Sequence, residues 1–175
     1  YALLPASTDT RAARERNSIG GRTAEIQRLI GRSLRMAVDL RLMPGITLYI
    51  DADVLQADGG TRTASVNGGM VALYIAGQRL VEKGLLQKNP VVRWIGAVSA
   101  GIVNGEKKVD LDYRDDFAAS ADFNFVFTDD GSIIEVQGTA EKSPVSDNDF
   151  AALLASSRSA VFDIITRMKE AVEIR

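Results

Sequence analysis

Hydrophobic positions recur at helical spacing over residues 23–40, where Ile26, Leu29, Ile30, Leu34, Ala37 and Val38 make one apolar stripe. Arg28, Arg32 and Arg35 follow at spacings of four and three on a neighbouring polar face. Pro44-Gly45 ends that pattern, and the alternating run over 47–55 predicts a strand. The apolar segment 66–81 is long enough for a second helix, and its small residues Gly68, Gly69, Ala72, Ala76 and Gly77 suit close packing on a sheet. After Asn89-Pro90 the pattern becomes that of strands. Residues 94–103 are apolar and β-branched, Asn104-Gly105 is the type I′ hairpin signal, and 109–113 alternates as a return strand. Residues 123–127 alternate again, Asp129-Asp130-Gly131 turns, and 133–137 comes back. A last helix is predicted over 147–171, with Ser146 or Asp147 as N-cap and Phe150, Leu153, Leu154, Val161, Ile164 and Ile165 as its stripe. The order α, β, α, four strands, α predicts an α+β fold with helices packed on one mixed sheet.

At 175 residues the natural expectation is a single domain spanning 1–175, with a substantial core. No apolar run reaches the roughly 18 residues that span a bilayer, and no signal-peptide pattern opens the chain. Cys and His are both absent, which excludes disulfides, thiol catalysis, the usual zinc sites and histidine acid–base chemistry. Lack of cysteine is compatible with a cytoplasmic location. The net charge of −2 hides an asymmetry, because residues 1–45 carry eight arginines against only Asp9, Glu15, Glu25 and Asp39. Such a bias reads either as a phosphate-contacting surface or as a solvated helix face with ordinary ion pairs. Residues 6–20 are polar, lack a period and read as a mobile loop.

The chain is organised around residues 56–65, the joint between the strand at 47–55 and the helix that follows. Gly59 and Gly60 allow a sharp turn and a close approach to a ligand, since no Cβ intervenes. Thr61, Arg62 and Thr63 open the helix, where amide hydrogens and the dipole favour an anion and the Arg62 guanidinium fits phosphate oxygens. The same pattern also describes a tight turn with a capped helix. Farther on, Asp116 and Asp122 flank a short segment, with Asp112 and Asp115 nearby. An acidic loop between strands is either solvated surface or a metal or catalytic site.

The segment Asp53-Val54-Leu55-Gln56-Ala57-Asp58-Gly59-Gly60-Thr61-Arg62-Thr63-Ala64-Ser65 resembles the signature of the bacterial ribonuclease PH family, phosphate-dependent 3′→5′ exoribonucleases that trim transfer RNA precursors. Similarity continues in residues 21–35, 101–106 and 133–141, in the family's order. The resemblance implies an RNase PH-like α+β fold and a phosphorolytic nucleotidyltransferase. It implies that Arg22, Gly60, Thr61 and Arg62 hold inorganic phosphate, the co-substrate, and that Asp116 and Asp122 are the active-site aspartates. Carboxylates suit Mg²⁺, and a protonated aspartate could instead donate to the leaving 3′ oxygen. Arg11 and Arg14 match family arginines used in ring assembly and transfer RNA contact, whereas Ala6 stands where the family has arginine. The implied partners are RNA 3′ ends and further copies of the chain in a ring hexamer, with no membrane. Tyr1 matches a point inside the family, which implies a missing N-terminal quarter. Two other readings compete: a non-catalytic RNA-binding or ring-forming subunit of an exosome-like assembly, and an inactive truncated homologue.

Overall fold

The structure, a computed structural model, describes residues 1–13 and 19–173. Its larger sheet is built from β3 (Ile95–Val103), β4 (Glu106–Val109), β5 (Ala121–Thr128) and β6 (Ile133–Ala140), in the order β4-β3-β5-β6. Every pairing in it is antiparallel, where the sequence pattern predicts a mixed sheet. Connectivity fixes two of the three pairings. The β3–β4 and β5–β6 links are tight turns, and hairpins join only antiparallel neighbours. Asn104 and Gly105 take φ of 52° and 83°, the left-handed pair that a type I′ turn requires.

Three long helices, α1 (Gly21–Ala37), α2 (Thr61–Glu82) and α4 (Asp147–Glu173), enclose this sheet. On one face Phe125 packs against Phe150 of α4, and the missing Cβ of Gly96 leaves room for Val161 and Ile165. On the other face Arg32 of α1 pairs with Glu135 of β6, while the Asn67 amide of α2 bonds both backbone groups of Ala97 at 2.8 and 2.9 Å. Asn67 thus takes the place of a neighbouring strand at a point that β4 does not reach. Coverage on both sides explains why β3 reads as a continuous apolar run instead of an alternation. One contiguous core joins Ile26, Leu29 and Leu34 of α1, Val66 and Met70 of α2, Phe125 and Phe127 of β5, and Leu153 and Val161 of α4. The helix stripes face that core as their spacing predicts. Ser146 caps the start of α4, its hydroxyl accepting from the Asp149 amide at 3.1 Å and donating to the Asp149 carboxylate at 2.7 Å.

Two stretches differ from the sequence-based expectation. Of the strand predicted over 47–55, only β2 (Asp53–Val54) is paired, in parallel with β1 (Ala2–Leu3). Alternation supplies a face, but a strand also needs a hydrogen-bonding neighbour, and among the described residues only β1 lies alongside. Tyr49 is accordingly 86% exposed. The return strand is Glu106–Val109, and the alternation of 109–113 does not continue it. Asp110 turns into the left-handed region at φ 65°, and Asp112 then caps a short helix, α3 (Tyr113–Ala118), by accepting from the Asp115 amide at 2.7 Å. Asp is a favoured N-cap because its carboxylate can accept an amide of the helix's first turn, and here that outcompetes the period-two signal. Among the described residues no helix is long and apolar enough to cross a membrane.

Candidate active site

The glycine joint becomes a tightly held loop. Gly60 caps α2 in the left-handed conformation, φ 69°, and offers no side-chain oxygen to the amides of the first turn. Those amide hydrogens, with the helix dipole behind them, favour an anion. Gly59 serves a purpose the sequence reading places elsewhere. A Cβ there would stand 2.0 Å from the Leu111 carbonyl oxygen. The close approach that requires glycine is thus made by the chain's own backbone. Asp58 completes the junction, its carboxylate accepting from the Gly59 amide at 2.9 Å and the Tyr113 amide at 2.6 Å. The loop and the N-terminus of α3 are therefore locked together.

This lock brings distant parts of the chain around one cavity of about 650 Å³. Arg22, in the first turn of α1, and Gly60, Thr61 and Arg62 line it from one side. Asp116 from α3 and Asp122 from β5 line it from another. Sheet register sets the position of Asp122. It pairs with Gly101 on β3 and Thr139 on β6, and two residues along Asn124 pairs with Ser99, so all these positions share one face. Six of the expected site residues thus meet in a single cavity, having been spread over about a hundred positions of sequence.

Electrostatics within the cavity are mixed. The Nη1 of Arg62 pairs with Glu25 at 3.2 Å, which orients the guanidinium from α1. Asp122 is pushed above the usual carboxylate range, first by burial, then by the charges of Asp116 and Glu141, with Arg62 acting in the opposite direction. Nearby acids are sorted by the fold: Asp112 is a cap, and Asp115 pairs with Lys108 at 2.7 Å. Asp116 and Asp122 are left facing the cavity. Among the described residues no cluster of three or more acidic side chains is arranged to hold a metal. Two carboxylates in a roomy polar cavity fit Mg²⁺, a hard cation that keeps several of its waters.

Arg11 is exposed and does not line the cavity. Arg14 lies outside the described residues. Arg32 and Arg41, part of the early basic bias, are engaged by Glu135 and Asp39, the ordinary ion-pair reading of that bias. Sequence reasoning passed over Asp58, Ser99, Phe117, Asn124, Glu141 and Lys142, all of which line the cavity. Asp58 and Glu141 stand inside segments that carried the family resemblance. The others gave no signal before the sheet brought them together.

The α+β scaffold sets a glycine-capped helix and two arginines against a pair of carboxylates, and family and structure matches make it an RNase PH-like fold. A model of the 3′ exoribonuclease family, domain 1, matches residues 1–78, and that of the family's domain 2 matches residues 94–160. The chain belongs to the 3′ exoribonuclease family. Among solved structures it is similar to rice (Oryza sativa) Rrp46, with TM-score 0.69 and 18% identity over 90% of this chain and 69% of that one. It is similar to the Archaeoglobus fulgidus exosome with RNA bound to the active site, with TM-score 0.70 and 20% identity over 98% of this chain and 68% of that one. An archaeal exosome core aligns with TM-score 0.67 and 20% identity over 85% of this chain and 64% of that one. The chain thus spans about two thirds of the length of these structures.

Proposed function

We propose that this chain carries the phosphorolytic site of a 3′→5′ exoribonuclease of the bacterial ribonuclease PH type, acting on single-stranded RNA 3′ ends such as those of transfer RNA precursors. The observation that carries the reading is the meeting of Arg22, Gly60, Thr61 and Arg62 with Asp116 and Asp122 in one cavity. Phosphate would lie against the first-turn amides of α2 and the two guanidinium groups. One of its oxygens attacks the phosphorus of the last phosphodiester. The bond from that phosphorus to the 3′ oxygen of the preceding nucleotide breaks, the 3′ oxygen takes up a proton, and a nucleoside 5′-diphosphate leaves. Such transfer needs positioning and charge stabilisation more than covalent help, which suits a site without His or Cys. Asp116 and Asp122 would hold Mg²⁺, which when bound supplies positive charge beside the reacting phosphate oxygens. Repeated copies of the chain would form the ring expected of the family, in the cytoplasm, with Arg11 and Arg14 at the RNA or subunit contacts.

The test is release of nucleoside diphosphate from a short 3′-tailed RNA, with and without phosphate and Mg²⁺. Release is expected only with phosphate, and Arg62→Ala should lower it about 100- to 1000-fold, as removal of one donor to a developing charge does. Release that ignores phosphate, or an Arg62→Ala protein of unchanged turnover at saturating phosphate, would overturn the assignment.

A further inference from the structure

The aromatic rings that contact one another fall into two groups. Phe123, Phe125 and Phe127 of β5 pack with one another and with Phe150 of α4, and Tyr74 packs on Trp94. Tyr113 and Phe117 do neither. They stand four apart on α3, so they share one side of the helix, and their rings stack at 6.4 Å between centroids with 27° between planes. Tyr113 is 63% and Phe117 80% exposed, although Phe117 lines the same cavity as Arg22, Arg62, Asp116 and Asp122. The helix beneath them is held at both ends. The Tyr113 amide donates to Asp58 at 2.6 Å, and the Ala118 carbonyl accepts from Lys142 Nζ at 2.7 Å.

We propose that Tyr113 and Phe117 form a stacking platform for a base at the 3′ end of single-stranded RNA, with the nucleotide's phosphate directed to the cavity that Phe117 borders. This rests on the reading of the cavity given above. A flat ring exposed to water at the rim of a charged cavity matches a ligand with both a π-face and an anionic group, and a nucleotide has both. Stacking accepts any base, because every base has a π-face, so the platform adds affinity without sequence preference. Securing α3 at both ends keeps the rings in place before RNA arrives, so little ordering cost falls on binding.

Binding without phosphate or Mg²⁺ separates this from turnover. The probe is a short single-stranded RNA carrying 2-aminopurine at its last two positions, beside the same RNA with abasic residues there. Quenching of the probe is expected with the unaltered protein, and Phe117→Ala should weaken binding roughly 5- to 150-fold. Phe117→Trp should preserve both affinity and quenching, Phe117→Leu should not, and the abasic RNA should be insensitive to all three. Equal affinity of the unaltered and Phe117→Ala proteins overturns the platform while leaving the cavity's reading intact. A Phe117→Ala protein with unchanged RNA affinity and a changed sedimentation coefficient assigns the rings to a contact between copies, which also overturns it. Failure of the unaltered protein to bind either RNA overturns the reading beneath it.

Discussion

Substituting Gly59 tests how the two halves of the site are joined. In Gly59→Ala the new Cβ would stand 2.0 Å from the Leu111 carbonyl oxygen, 2.7 Å from the Asp112 carbonyl carbon and 2.8 Å from its oxygen. All three are backbone atoms, so no rotamer change relieves the clash. The glycine loop and the segment leading into α3 must separate instead. Overpacking of this kind costs about 3 kcal/mol, near the upper end of its usual range. For a chain of 175 residues that lowers Tm by about 6–12 °C. Gly84→Ala provides the comparison, because φ there is 70° but no atom lies within 4 Å of the added Cβ. It should cost only the left-handed conformation, about 1 kcal/mol, or roughly 2–4 °C. Calorimetry measures both, and amide exchange adds a local reading. The Tyr113 and Asp116 amides, bonded to Asp58 and to the Asp112 carbonyl, should exchange faster in Gly59→Ala and unchanged in Gly84→Ala. Equal melting of the two variants, with the α3 amides still protected in both, would refute the argument that this backbone contact joins the site.

Two other perturbations follow from single contacts. Asp122 has a raised pKa, so its ionisation opposes folding as pH rises through that value and has no effect below the ordinary aspartate value of about 4. Asp122→Asn, measured with EDTA to exclude metal, should therefore be more stable than the parent at pH 7, with the gain shrinking to nothing at low pH; a gain independent of pH would rule out burial of the charge as its cause. Asn67→Ala would strip both backbone groups of Ala97, itself 1% exposed, of the bonds that Asn67 provides. Denaturant titration should show a loss of about 2–4 kcal/mol, and a loss below about 1 kcal/mol would mean that water replaces the amide.

Elements governed by near neighbours were legible in the chain itself. The stripe from Ile26 to Leu34 defined α1 because residues three and four apart share a face whatever lies opposite. Asn104-Gly105 made its turn because left-handed φ is a property of those two residues. The Gly60-Thr61-Arg62 joint stands out by its chemistry and, with Asp116 and Asp122, by family resemblance, and the fold brings these residues to one cavity. Pairing and proximity were not readable. Residues 47–52 alternate like a strand yet among the described residues have no strand beside them, and residues 110–113 alternate yet turn, because Asp112 finds an amide to cap. Gly59 looked like a residue kept small for a ligand, but the atom it makes room for belongs to Leu111, over fifty positions away. Asp58 and Phe117 acquired their places through the same junction. A sequence states what each segment prefers within a turn or two. Which carboxylate faces which guanidinium depends on β-sheet register and on a backbone contact between remote segments, and only the folded chain decides both.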